Sequence, residues 1–276
     1  MSARHAIGID LGGTNIKAGI IDGDASVVVR DEIPTEAARG FEHVLSRMAG
    51  LVPRLLSQAG LAPAGVCGVG VGVPGPLSHA QGLVHRAPNL PGWENVPIRD
   101  RFAREVGLPV SVENDANAAA FGEFVAGAGR EVRDMVILTL GTGIGGGIVL
   151  DGRLWRGSFD NAGEIGHTII RPGGRACPCG QSGCLERYAS AGAIGERAVE
   201  ALRDGESSSL ATVAARGDVT ASDVERAAAA GDALAMRVWD EACEALAMCC
   251  VNLQHTLNPQ QIVLAGGLIN AGDPLL

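Results

Sequence analysis

The sequence predicts a mixed α/β protein of two related domains. Two glycine-rich hairpins repeat one plan, and strand-like runs alternate with helical ones along the rest of the chain. Residues 7–22 and 136–151 align without a gap. Each reads as apolar strand, Gly/Thr turn, apolar strand and Asp-Gly (Asp22-Gly23, Asp151-Gly152). Asp-Gly is a strong hairpin-turn signal. Each hairpin opens a domain, and we place a small N-terminal α/β domain at 1–112 and a larger one at 113–276.

The elements follow in order. Residues 41–59 carry apolar positions at helical spacing, and 66–73 form a buried-strand run that ends at Pro74-Gly75-Pro76. Residues 100–106 read as helix, 110–112 as a short strand, and 117–125 as the start of a helix after a Glu-Asn-Asp turn. Residues 190–204 and 222–257 are alanine-rich and helical. Asn258-Pro259 ends the last helix; residues 261–265 make a strand, followed by Gly266-Gly267.

With 276 residues, 46% hydrophobic and 19% charged, the chain can bury one large core or two modest ones. No run of ~18 apolar residues predicts a membrane helix. The N-terminal residues lack the regions of a signal peptide, so a cytoplasmic location is expected. A net charge of −9 argues against a nucleic-acid or anionic-membrane partner. The seven cysteines are odd in number, which argues against a disulfide framework. Cys67, Cys243, Cys249 and Cys250 lie in apolar runs and read as small buried hydrophobes.

Successive N–H groups in a Gly-rich turn form a concave nest for phosphate oxygens, and Thr14 and Thr142 add hydroxyls. Two such nests could hold one polyphosphate; the plain alternative is a pair of tight hairpins. Gly70-x-Gly72-x-x-Gly75 and Gly141-x-Gly143-x-x-Gly146 fit the dinucleotide fingerprint by spelling. Neither opens a helix, so neither is one. There is no Walker A sequence, so an ATP site here is not a P-loop. Asp10, beside the first turn, is a natural Mg²⁺ partner or a turn-stabilising residue. Lys17, the sole lysine, follows the same turn and can equally face solvent.

Cys177-Pro-Cys179 and Cys184, with His167 just upstream, make a Cys3His set suited to a closed tetrahedral zinc site. The alternative is a chance cluster of reduced thiols. A closed site leaves no open position, so the metal would be structural, shaping the loop that carries Glu164 and Glu186. Asp115 sits where a strand meets a helix. It can cap that helix or take a proton from a substrate hydroxyl, the one acid–base task that phosphoryl transfer to an alcohol needs.

Taken together, the chain resembles the ROK family (repressors, open reading frames, kinases), and within it the bacterial zinc-containing glucokinases. The resemblance rests on Asp10-Leu-Gly-Gly-Thr-Asn15, Val73-Pro-Gly-Pro-Leu77, Ala87-Pro-Asn-Leu-Pro-Gly-Trp93 and Glu113-Asn-Asp-Ala-Asn117. It continues through Leu140-Gly-Thr-Gly-Ile-Gly-Gly-Gly147, Ala162-Gly-Glu-Ile-Gly-His167, the cysteine cluster with Cys184-Leu-Glu186, and Ala265-Gly-Gly267. It implies an actin-like ATPase fold, hexokinase-type and ribonuclease H-like, with a cleft between two domains. It implies ATP·Mg²⁺ on Asp10, Gly12, Gly13, Thr14, Asn15, Gly141, Thr142 and Gly143, with Gly266 and Gly267 near the adenosine. It implies hexose hydroxyls on Asn89, Asn114, Asp115, Glu164, His167 and Glu186, with Asp115 the base toward the 6-hydroxyl. His167 would both ligate zinc and touch the sugar. A homodimer or a tetramer is implied as well. Family members run a few dozen residues past this Gly-Gly into a helix that returns to the first domain. That helix is expected to be absent here, which bears on nucleotide affinity and stability.

The functional expectation is ATP-dependent phosphorylation of a hexose, glucose leading. An N-acetylmannosamine, N-acetylglucosamine or fructose kinase shares the motifs. A sugar-sensing regulator would need a helix-turn-helix module ahead of the first hairpin, where few residues stand. A sugar-binding protein without turnover is the reading that goes with the missing tail.

Overall fold

The computed structural model describes residues 5–271 and residue 275. Residues 1–4, 272–274 and 276 lie outside that description. The chain forms two compact units, residues 1–122 with 156–162, and residues 123–155 with 163–276.

The first unit is built on a five-stranded sheet. Its strands are β1 (His5–Leu11), β2 (Asn15–Ile21), β3 (Val27–Pro34), β4 (Val66–Val73) and β8 (Val110–Asn114), in the order β3-β2-β1-β4-β8. The first three are antiparallel neighbours, whereas β4 and β8 run parallel to β1. A smaller sheet joins β5 (Leu77–Ser78), β6 (Leu83–Arg86) and β7 (Glu94–Val96). Helices α1 (Phe41–Ala59) and α2 (Ile98–Val106) pack on the large sheet. Val44, Met48, Leu51 and Leu55 recur on one face of α1 at the predicted spacing and are wholly buried. They share one core with Ile7, Ile9, Val71 and Phe102. Helix α3 (Asp115–Ala126) follows β8 without a loop.

The second unit repeats the plan. Strands β9 (Met135–Leu140), β10 (Ile144–Leu150), β11 (Arg153–Leu154) and β12 (Gln261–Ala265) lie in the order β11-β10-β9-β12. Again a hairpin is antiparallel and the outer partner of its first strand is parallel. The correspondence read from the two hairpins therefore extends to four strands of each sheet. Around this sheet stand α4 (Glu186–Ala189), α5 (Ala191–Arg203), α6 (Ala211–Ala214), α7 (Ala221–Ala229) and α8 (Ala233–Leu257). Leu138, Leu140, Ile194, Val238 and Leu246 belong to its core.

Three readings need correction, and one strand lies beyond the sequence reading. The first unit runs to Gly122, past the expected 112/113, because β8 pairs with β4 and keeps Glu113 and Asn114 on the first sheet, with α3 following directly. The run 222–257 is two helices. Gly231 takes a left-handed backbone (φ 85°), and Asp232 then caps α8 by accepting from Ala235 N at 3.0 Å. Strand β3 was not foreseen; its exposed outer position leaves little apolar alternation to read. Cys67 is exposed rather than buried, whereas Cys249 is buried.

Candidate active site

Sheet register assembles one edge of the first unit. Asp10, Gly72 and Glu113 are neighbours across β1, β4 and β8, and Lys17 stands opposite Asp10 on β2. The carboxyl ends of these three strands therefore share an edge with the turn between β1 and β2. In that turn Gly12 N donates to Asn15 O at 3.0 Å. A Cβ on Gly12 would stand 2.8 Å from that oxygen, and one on Gly13 would stand 3.0 Å from Asn89 Cβ. The turn and Asn89 are thus packed together. Thr14 is exposed. The Asn15 amide donates to Glu32 at 2.7 Å, so the turn receives from Asn15 its backbone carbonyl. Burial raises the pKa of Asp10, and Lys17 partly offsets it. Its carboxyl is a hard oxygen donor where a cation would relieve that burial penalty.

At the next strand end, the expected division of labour is decided by hydrogen bonds. Asn114 Oδ1 accepts from Asn117 N at 3.1 Å, the helix-capping contact. Asp115 is the first residue of α3, and its exposed carboxylate accepts from Ala116 N at 2.8 Å. Behind them Glu113 holds Arg156 (2.6 Å) and Asn117 (3.2 Å), and His79 donates its backbone N–H to Asp160 at 3.0 Å. Sequence reading gave Glu113, Arg156, His79 and Asp160 no role of their own, because the pairs Glu113–Arg156 and His79–Asp160 join positions far apart along the chain.

In the second unit, β9 and β12 end side by side. Gly141 N donates to Gly143 O at 2.9 Å, and Thr142 is exposed. Gly266 lies so close to the end of β9 that a Cβ would stand 2.5 Å from Leu140 O. Two contacts hold this turn from behind. Ala191 N, at the start of α5, donates to Gly141 O at 2.9 Å, and Glu186 Oε2 accepts from Ile144 N at 2.9 Å. A Cβ on Gly143 would stand 2.5 Å from the Glu186 carboxylate, which would have to move away from Ile144 N to admit it. A cavity of about 330 Å³ opens on Gly141, Thr142, Gly267, Thr220, Glu225 and Asn270, within the size range of small-molecule sites. Thr220 caps α7, and its capping box with Asp223 is formed.

The four residues of the cysteine cluster meet in the same unit. The ligand atoms of His167, Cys177, Cys179 and Cys184 all lie within 4.8 Å of one another. Cys177 Sγ is 3.6 Å from His167 Nδ1, and Cys179 Sγ is 3.6 Å from Cys184 Sγ. A tetrahedron with arms of about 2.3 Å has edges of about 3.8 Å, so these side chains fit a tetrahedral thiolate–imidazole centre. Burial raises the pKa of Cys177 and Cys184, while the Gln181 backbone N–H lowers that of Cys179. A cation among them would favour the thiolates. Glu164 is exposed, and its carbonyl accepts from His167 N at 3.0 Å in the short helical turn that carries the histidine.

Two sheets of one topology, each with a Gly/Thr turn at the end of its first strand, define the actin-like fold of the sugar-kinase class. The chain belongs to the ROK family, whose profile matches residues 6–275. It is 41% identical over 278 aligned residues to a glucokinase of Halalkalibacterium halodurans, covering 100% of this chain and 84% of that one. The ROK hexokinase of Thermus thermophilus superposes with a TM-score of 0.81 at 36% identity, covering 98% of this chain and 86% of the other. A Streptomyces griseus ROK glucokinase, solved with glucose and AMPPNP, gives 0.82 at 32% identity, covering 99% and 86%.

Proposed function

We propose that this chain transfers the γ-phosphoryl group of ATP to the 6-hydroxyl of a hexose, with glucose the first candidate. The observation that carries the proposal is the recurrence of a Gly/Thr turn at equivalent ends of two like sheets, the second turn walling a nucleoside-sized cavity. The relatives named glucokinase support the choice of reaction and of sugar.

In this reading Gly12, Gly13, Thr14 and Asn15, with Gly141, Thr142 and Gly143, serve the phosphates. Gly266 and Gly267 border the adenosine. Asn89, Asn114, Glu164, His167 and Glu186 hold sugar hydroxyls; His167 turns Nδ1 to Cys177, which leaves Nε2 for a hydroxyl. Asp115 accepts the proton of the 6-hydroxyl as its oxygen bonds to the γ-phosphorus, and the β–γ bridging bond breaks with its electron pair leaving on ADP. Asp10 would hold Mg²⁺, which neutralises phosphate charge when bound. The thiolates of Cys177, Cys179 and Cys184 with His167 would hold a structural Zn²⁺. The proposal includes a homodimer or tetramer, on the family resemblance alone, and a cytoplasmic location, which the resemblance does not supply.

The test is ATP turnover by the purified protein with Mg²⁺ against glucose, mannose, fructose, N-acetylglucosamine and N-acetylmannosamine. Turnover with glucose above the others supports the reading. Preference for an N-acetylhexosamine or fructose keeps the kinase and replaces its substrate. Turnover with none overturns it.

A further inference from the structure

Thr35 follows β3 and is fully buried, with 0% of its surface exposed. The β2–β3 register sets Pro34 opposite Asn15 and so delivers Thr35 to the first Gly/Thr turn. Both of its donors are spent there. Its backbone N–H reaches Thr14 O at 2.7 Å, and its hydroxyl reaches Gly12 O at 2.6 Å.

Those two carbonyls matter to an anion. In a planar trans peptide, the C=O of one residue points opposite to the N–H of the next. Holding Gly12 O toward Thr35 therefore aims the Gly13 N–H the other way. It also keeps a carbonyl oxygen, which would repel phosphate, from turning outward. The position of Thr35 is itself braced by α1. Arg47 Nε donates to Pro34 O at 2.8 Å. Glu36 takes a left-handed backbone (φ 54°) unusual for a residue with a side chain. Its carboxylate is held by His43 (2.7 Å), Arg47 (3.0 Å) and Arg39 (3.2 Å).

We infer that Thr35 is a positioning residue for nucleotide binding, which aims the first turn's N–H groups at phosphate by retaining the carbonyls of Gly12 and Thr14. The inference rests on the reading of that turn as a phosphate cradle. It predicts an effect confined to nucleotide, which a general packing role would not produce.

The experiment compares Thr35→Val, which removes the hydroxyl at nearly constant shape, with Thr35→Ser, which keeps it. Affinities for Mg²⁺·AMPPNP and, separately, for glucose are measured by calorimetry, and KM and kcat are measured for ATP. Thr35→Val is expected to weaken nucleotide binding and raise the KM for ATP about tenfold, the equivalent of one buried hydrogen bond. Thr35→Ser should stay within about twofold of the parent, and glucose affinity should not move in either. Thr35→Ala repeats the loss of the hydroxyl, so the ratio can be read even if the valine variant does not fold. Unchanged nucleotide affinity in the hydroxyl-free variants overturns the inference, as does an equal fall in glucose affinity. If the parent protein binds AMPPNP but phosphorylates no hexose, the kinase reading falls and Thr35 is judged on the binding ratio alone. If the parent binds no nucleotide, both fall.

Discussion

The carboxylate of Glu186 accepts the backbone N–H of Ile144 at 2.9 Å. Glu186 follows Cys184 by two residues, and Ile144 directly follows the Gly141–Thr142–Gly143 turn. One hydrogen bond thus ties the cysteine loop to the second Gly/Thr turn, and it connects the residues assigned to the sugar with those assigned to phosphate.

Glu186→Ala should therefore impair both substrates. Losing a hydrogen bond to a charged acceptor costs about 1.5–3 kcal/mol, or on the order of ten- to a hundredfold in KM. Glu186→Gln keeps an acceptor for Ile144 N and should recover most of the ATP term. Steady-state kinetics with each substrate varied in turn would show it; an effect on the sugar alone would contradict the link.

Asp115→Asn retains an oxygen for Ala116 N and leaves the Asn114 cap in place. Stability and hexose affinity should hold while kcat falls by about 10²–10⁴, the usual worth of a general base. A variant with near-parental kcat would remove Asp115 from that role.

Cys179→Ser takes one thiolate from a set whose ligand atoms lie within 4.8 Å. Bound zinc, read by elemental analysis, should fall, and the KM for hexose should rise more than kcat drops. His167 and Glu186 sit at the two ends of the loop that the metal would brace. Unchanged metal content would exclude Cys179 as a ligand.

Asp232 caps α8 and gives a pH signature. Burial raises its pKa, but hydrogen bonds from Ala235 N, Ser209 N and the hydroxyls of Ser208 and Ser209 outweigh it and bring the value to about 2 from 3.8. A depressed carboxylate stabilises the fold above its unfolded pKa. That contribution is lost as pH falls from 3.8 through about 2. Asp232→Ala should lower stability at neutral pH by about 1–2 kcal/mol. The deficit relative to the parent should shrink across that acid window, as followed by thermal melts.

Local features were readable in the chain. His167, Cys177, Cys179 and Cys184 lie within one short segment, so their types and spacing nearly specify their meeting. The α1 face was readable because a helix repeats its burial every turn. The break between α7 and α8 was masked by alanines on both sides, although Gly231-Asp232 carried a stop and a start signal. Asn114 and Asp115 are both good caps by composition. Only the hydrogen bond to Asn117 N shows that Asn114 takes the task and leaves Asp115 exposed at the helix start.

By itself, then, the sequence determined the α/β class, the doubled hairpin, the clustering of His167, Cys177, Cys179 and Cys184, and the family, all of which depend on residue types at short, regular spacing. Tertiary structure alone decided that Thr35 holds Gly12 and Thr14, that Glu186 holds Ile144, and that Thr220, Glu225 and Asn270 line a cavity with Gly141. Each of those contacts joins segments far apart in the chain. Their meeting is set by strand register and helix packing, which sum many weak preferences over a whole domain and leave no mark at any one position.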